Sequence, residues 1–171
     1  MIHLGLYALL VISLYLQRFY NLSIIPQLIL LSPLLFQDEK SLGFKNFKKG
    51  LTYGSLFLPF SVPYLLSAQC YALVLNQLGI ALAEEIFFRG FLMQKFSNFT
   101  VSLMSTSAHL AYWANLNALL TFFPSLFFGW LYRKTDSVIA PAFAHFSANM
   151  FYFFFIERFP ELGELLQRSL I

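Results

Sequence analysis

Charge is what this chain has least of. Only 11% of its 171 residues are Asp, Glu, Lys or Arg, against about 25% in a soluble globular domain. So few charges cannot cover a water-facing surface, which excludes an ordinary soluble enzyme and implies contact with lipid. Cysteine is almost missing as well. Cys70 stands alone, so neither a disulfide framework nor a cysteine metal site can form within the chain, and it reads as a small apolar filler. There is no basic block: the net charge of +3 is scattered between apolar runs. That argues against a nucleic-acid partner and makes the basic residues topology signals. No internal repeat, low-complexity tract or linker divides the chain. The opening MIHLGLYALLVISLYLQRFY has neither a basic n-region nor a small-residue cleavage site. It is expected to be a retained first membrane helix rather than a signal peptide.

What is present is apolar: 58% hydrophobic and 19% aromatic residues, with a mean hydropathy of +0.67. A spanning helix needs about 20 mostly apolar residues, with roughly 17 as a lower limit. The runs 2–17, 20–36, 51–68, 70–94, 100–116, 117–133 and 137–157 come near or meet this. The predicted fold class is therefore all-α, a polytopic membrane helical bundle of about seven transmembrane helices. It forms one membrane domain over 1–171, with N-terminal membrane helices and a basic loop in 1–70 and a core over 78–152. QDEKSLGFKNFKKG, residues 37–50, alternates lysines with Leu42, Phe44 and Phe47, as a short amphipathic segment at the membrane surface would. ELGELLQRSLI after Pro160 is a second amphipathic stretch.

Lys/Arg bias sets the expected orientation. Lys40, Lys45, Lys48, Lys49, Lys95, Arg133 and Lys134 occupy the loops 37–50, 95–99 and 133–136. With seven spans, these three loops share one side, read as the cytoplasm, and the N-terminus joins them there. The opposite side offers only Arg18.

Few ionisable groups remain inside the runs: Glu84, Glu85, Arg89, His109 and His145. Such groups are expensive in a bilayer and mark function by default. At about 1.5 Å per residue, the two glutamates lie roughly 15 Å from the end near Lys95. His109 lies roughly 14 Å and His145 roughly 12 Å from their own cytoplasmic ends, with Asn149 about 6 Å deeper. Three separate runs thus deliver polar groups to one layer. Glu85 and Arg89 are four apart and can pair along one helix face, whereas Glu84 is rotated by about 100° and needs a partner from another helix. His145 and Asn149 are also four apart. Taken singly, the Glu–Arg pair could be structural, each His a packing residue, and Asn149 interhelical glue. Their convergence on one depth favours a shared site.

These residues form a pattern. EEIFFR, residues 84–89, fits Glu-Glu-x-x-x-Arg; STSAH ends in His109; HFSAN, residues 145–149, fits His-x-x-x-Asn. In this order they resemble the three motifs of the CPBP family (CAAX-protease and bacteriocin-processing, or Abi, proteins), which are glutamate-type intramembrane endopeptidases. FFRGFL and GWLYRKTDSVIAPAFAH are similar to the family's flanking text, and the resemblance covers about residues 78–152. One departure is Ser105, which stands where the second motif usually has Phe.

The resemblance implies that Glu84, with His109, activates a water for attack on a peptide carbonyl. His145 and Asn149 would stabilise the oxyanion, and Glu85 and Arg89 would hold the catalytic helix in shape. It implies a substrate that is a membrane-presented protein or peptide, cut near its terminus in CAAX-like, leader or sorting-signal processing. The expected location is a bacterial cytoplasmic membrane. No cofactor is expected, although Glu84, His109 and His145 would also serve as a His₂Glu zinc set; against zinc, no His-Glu-x-x-His is present and Arg89 stands among the carboxylates. The alternatives are a non-catalytic binding or immunity protein on the same fold and a proton-coupled transporter. The transporter fits less well, since the chain shows no repeat symmetry.

Overall fold

The computed structural model describes residues 1–67, 71–168 and 170; Cys70 lies outside the described residues. Among them the chain is helical with no β-strand. In order the helices are α1 (Ile2–Gln17), α2 (Ile24–Leu31), α3 (Phe47–Ser55), α4 (Val62–Ser67), α5 (Tyr71–Glu85), α6 (Asn98–Trp113), α7 (Leu116–Leu120), α8 (Phe122–Thr135), α9 (Ile139–Arg158) and α10 (Pro160–Gln167). Helix α5 runs on through a π-type turn, Ile86–Phe91, and a short 3₁₀ turn, Leu92–Gln94. Two helical stretches, Tyr71–Gln94 and Ile139–Arg158, are long and apolar enough to cross a membrane.

Some expected runs are broken. The stretch 51–68 is not one helix: α3 stops at Ser55, a 3₁₀ turn covers Leu58–Ser61, and α4 follows. Pro59, which cannot donate a backbone hydrogen bond, sits near the start of that turn and explains the interruption. The break expected at 116/117 falls at Ala114, a left-handed residue that ends α6. Asn115 then caps α7 by accepting from the Ala118 N–H at 2.8 Å. A further break at Thr121 separates α7 from α8.

Helix α9 is the axis of the fold. It packs against α3, α4, α5, α8 and α10, with Ala140, Ala142, Ala144 and Ser147 buried along its length. Small side chains let helix backbones approach closely where no water drives them together. Helix α1 lies on α6, where the Tyr7 hydroxyl donates to the Met104 carbonyl at 3.2 Å. His3 stacks on Phe91 with ring centroids 4.2 Å apart, which ties α1 to the end of α5.

The expected amphipathic segment 37–50 has its lysines exposed, but Leu42 is fully buried. The segment folds over the end of α5 instead of lying free as a surface helix. Gly43 turns with φ +92°, and a Cβ there would run into Tyr132 and Val138. Gly90 allows the same approach from below, since its missing Cβ leaves room for the Leu42 carbonyl. Asp38 accepts from the Ser41 N–H at 3.0 Å, which holds its carboxyl below the usual range. The three basic loops are tied together at this end. Lys45 pairs with Asp136 at 2.6 Å, the Val138 N–H donates to the Gly43 carbonyl at 3.0 Å, and Gln94 donates to the Ser41 carbonyl at 3.2 Å.

Candidate active site

Three helices supply the expected residues. Helix α5 ends on Glu84 and Glu85, and the π-type turn that follows carries Arg89. π-turns within helices often accompany functional sites. Here the wide turn leaves Arg89 still within reach of Glu85: Nη1 donates to Oε1 at 3.1 Å and Nε lies 3.1 Å from Oε2. Both side chains are buried. The guanidinium reaches on to α8, donating through Nη2 to the Ser125 carbonyl at 2.9 Å and to its hydroxyl at 2.8 Å. A buried charge needs such partners, because a lone one would carry a large desolvation cost. The Glu85–Arg89 pairing expected from their spacing is present.

Glu85 does more than brace. Its Oε1 also lies 2.9 Å from His145 Nδ1 on α9, a contact that helix spacing could not reveal. An ionised carboxylate only accepts, so Nδ1 carries a hydrogen and Nε2 is turned the other way. Phe128 of α8 stacks on the same imidazole, with centroids 4.9 Å apart and planes 20° from parallel. Its ring also lies 5.6 Å from the Arg89 guanidinium, so one aromatic side chain supports both groups.

Glu84 forms no ion pair with Arg89 among the described residues. Its Oε2 is buried and has no hydrogen-bond partner among the described residues. It faces two imidazoles from two other helices: His109 Nε2 at 3.7 Å and His145 Nε2 at 3.9 Å. Those separations are too long for direct hydrogen bonds. His109 is held by stacking on Trp113, one turn further along α6, with planes 6° from parallel. The structure brings Glu84, Glu85, His109 and His145 together.

Asn149 lies one turn beyond His145 on α9 and lines the same cavity as Glu84 and His109. Its partner is Gln77 of α5, whose Oε1 accepts from Nδ2 at 3.1 Å. Gln77 was not among the expected residues, yet its spacing carries a signal. Seven residues before Glu84, it lies on the same helix face. Ser125 and Phe128 have no comparable signal in the sequence.

The cavity is about 1160 Å³, a volume on the scale of ligand-binding sites. Leu10, Leu14 and Leu30 of α1 and α2 form part of its wall, opposite Glu84, His109, His145 and Asn149. Among the described residues no group of three or more His, Cys, Asp or Glu is arranged to hold a metal ion.

Searches of curated proteins and of solved structures give no match to the chain. A family model does match, described as type II CAAX prenyl endopeptidase Rce1-like, over residues 66–151. That is half of the chain, and it contains Gln77, Glu84, Glu85, Arg89, His109, His145 and Asn149. The buried carboxylate between two imidazoles thus falls wholly inside the matched region, and the chain belongs to the Rce1-like family of CAAX prenyl endopeptidases.

Proposed function

We infer that the chain is an intramembrane endopeptidase that cuts a membrane-presented protein or peptide near its terminus, with Glu84 and His109 activating the attacking water. The observation that carries this reading is the position of Glu84 Oε2, buried beside the cavity at 3.7 Å from one imidazole and 3.9 Å from another. One water can bridge polar atoms at such separations. A carboxylate with an adjacent imidazole can then take its proton as it attacks a carbonyl, a step that contributes about 10²- to 10⁴-fold.

His145 and Asn149 supply donors for the oxyanion that forms on the carbonyl oxygen. For His145 this requires Nε2 protonated while Nδ1 donates to Glu85, so the imidazole acts as imidazolium or receives the proton first taken by Glu84. Collapse of the tetrahedral intermediate breaks the C–N bond, and that proton passes to the leaving amine. Glu85 and Arg89 hold the end of α5 against α8, and Glu85 orients His145. The reaction is read as metal-independent, because Arg89 already provides a fixed cation among the carboxylates. The chain is read as crossing the membrane seven times, with interrupted helices and the lysine-rich loops and N-terminus in the cytoplasm of a bacterial cell. The joining of those loops at one end of the bundle supports that arrangement.

The test uses purified full-length protein in liposomes, with a quenched farnesylated peptide ending in a Cys-a-a-X sequence and its unmodified counterpart. Glu84→Gln is expected to lose at least about 10²-fold in kcat with an unchanged melting curve. Wild-type cleavage is expected to survive exhaustive chelation. Full activity in Glu84→Gln would sink the catalytic reading; a loss on chelation that zinc reverses would sink the metal-independent part.

A further inference from the structure

We propose that Gln77 is a positioning residue, which sets the Asn149 carboxamide so that an N–H, not the carbonyl, faces the reacting carbonyl oxygen. The inference rests on the reading of Asn149 as an oxyanion donor. A carboxamide presents a donor face and an acceptor face of nearly the same shape, interchanged by a half-turn about its last bond. Only the donor face can stabilise an oxyanion. Presenting the acceptor would repel it, so an unrestrained Asn would spend part of its time in the wrong orientation.

Gln77 supplies the restraint. Its Oε1 accepts one Nδ2 hydrogen at 3.1 Å, which leaves the second hydrogen on the same nitrogen to be directed by the plane of the amide. The placement follows from the helices. Gln77 and Glu84 lie seven apart on one face of α5, while His145 and Asn149 lie one turn apart on α9. The two helices run antiparallel, so they meet in two polar rungs: the glutamates with His145, then Gln77 with Asn149. Gln77, Glu84, His145 and Asn149 all line the one cavity. The first rung orients an imidazole through a carboxylate, and the second orients a carboxamide through another carboxamide.

A purely structural interhelical hydrogen bond would place the same two residues together, so the test must read more than stability. Gln77→Leu removes the acceptor, and Gln77→Asn shortens the side chain by one methylene while keeping its polarity. Each is assayed in liposomes with the quenched farnesylated peptide, alone and combined with Asn149→Ala, beside Glu84→Gln.

We expect Gln77→Leu and Gln77→Asn to lower kcat about tenfold, the scale seen when an orienting partner is lost, with KM within about twofold. In the Asn149→Ala background, neither Gln77→Leu nor Gln77→Asn should cost anything more. Unchanged kcat, a change confined to KM, or losses that multiply with Asn149→Ala would each overturn the role of Gln77 while Glu84→Gln remains inactive. Full activity in Glu84→Gln would overturn the underlying reading of the site, and this proposal with it. If Gln77→Leu fails to fold, Gln77→Asn carries the same comparison.

Discussion

The first 67 residues and the stretch from α5 to α9 are both apolar, yet they differ in how their buried polar side chains are satisfied. In the N-terminal part, serines donate back to their own turns: Ser13 to the Leu10 carbonyl, Ser32 to Ile29, Ser55 to Thr52 and Ser61 to Leu58. Each hydroxyl satisfies itself locally and leaves the helix free to face lipid. From α5 to α9 hydroxyls do the same, Ser102 to the Asn98 carbonyl and Thr135 to Leu131, but the buried charged and amide side chains reach across the sequence. Arg89 reaches Ser125, Glu85 reaches His145, and Asn149 reaches Gln77. The comparison teaches that membership in the membrane core does not mark a site. Polar groups that can be satisfied only by another helix do so, because in a low-dielectric interior they hold those helices in one relative position.

The strongest way to break this contrast is to open a long-range contact in the core. Arg89→Met leaves Glu85 buried without its cation and is expected to cost about 3–5 kcal/mol of stability. Thermal or denaturant unfolding in detergent would measure it. Adding Glu85→Gln should recover part of that loss, since the variant no longer buries an unpaired charge; no recovery would mean that the pair is not what holds α5 to α8.

A smaller effect is expected where the two regions touch. Gly90→Ala places a Cβ about 2.5 Å from the Leu42 carbonyl oxygen. A backbone group cannot swing aside like a flexible side chain, and overpacking of this kind costs about 1–3 kcal/mol. Protease cleavage in the 37–50 loop should rise in parallel, because that loop would be pushed off the end of α5. An unaltered digestion pattern would show that the loop is held from elsewhere.

The smallest effect belongs to the exposed Lys45–Asp136 pair, whose side chains are 48% and 47% accessible. Asp136→Asn should shift the unfolding midpoint by no more than about 1 kcal/mol, as exposed ion pairs do. Asn also tolerates the left-handed backbone that Asp136 adopts at φ 53°. A loss comparable to that of Arg89→Met would erase the distinction between surface and core charges.

Legibility followed the same division. The Glu85–Arg89 pair could be read directly, since both residues ride on one helical segment and a separation of four fixes their neighbourhood. The separate direction of Glu84 was legible for the same reason. The link from Glu85 to His145 was not, because it depends on how far α9 is rotated about its axis when it packs on α5. Helix interruptions were partly legible. Pro59 signals a break, but the left-handed turn at Ala114 has no glycine or proline to announce it.

By itself, then, the sequence determined the apolar, all-helical class, the order of the three motifs, and the Glu85–Arg89 pairing within one helical segment. These depend on composition and on the 3.6-residue repeat, which are properties of the chain alone. Only the tertiary structure decided that Glu84 faces two imidazoles, that Glu85 serves both Arg89 and His145, and that Gln77 meets Asn149. Those contacts depend on the spacing and rotation of helices up to 72 residues apart, set by close packing of small residues along α9, and no local periodicity encodes them.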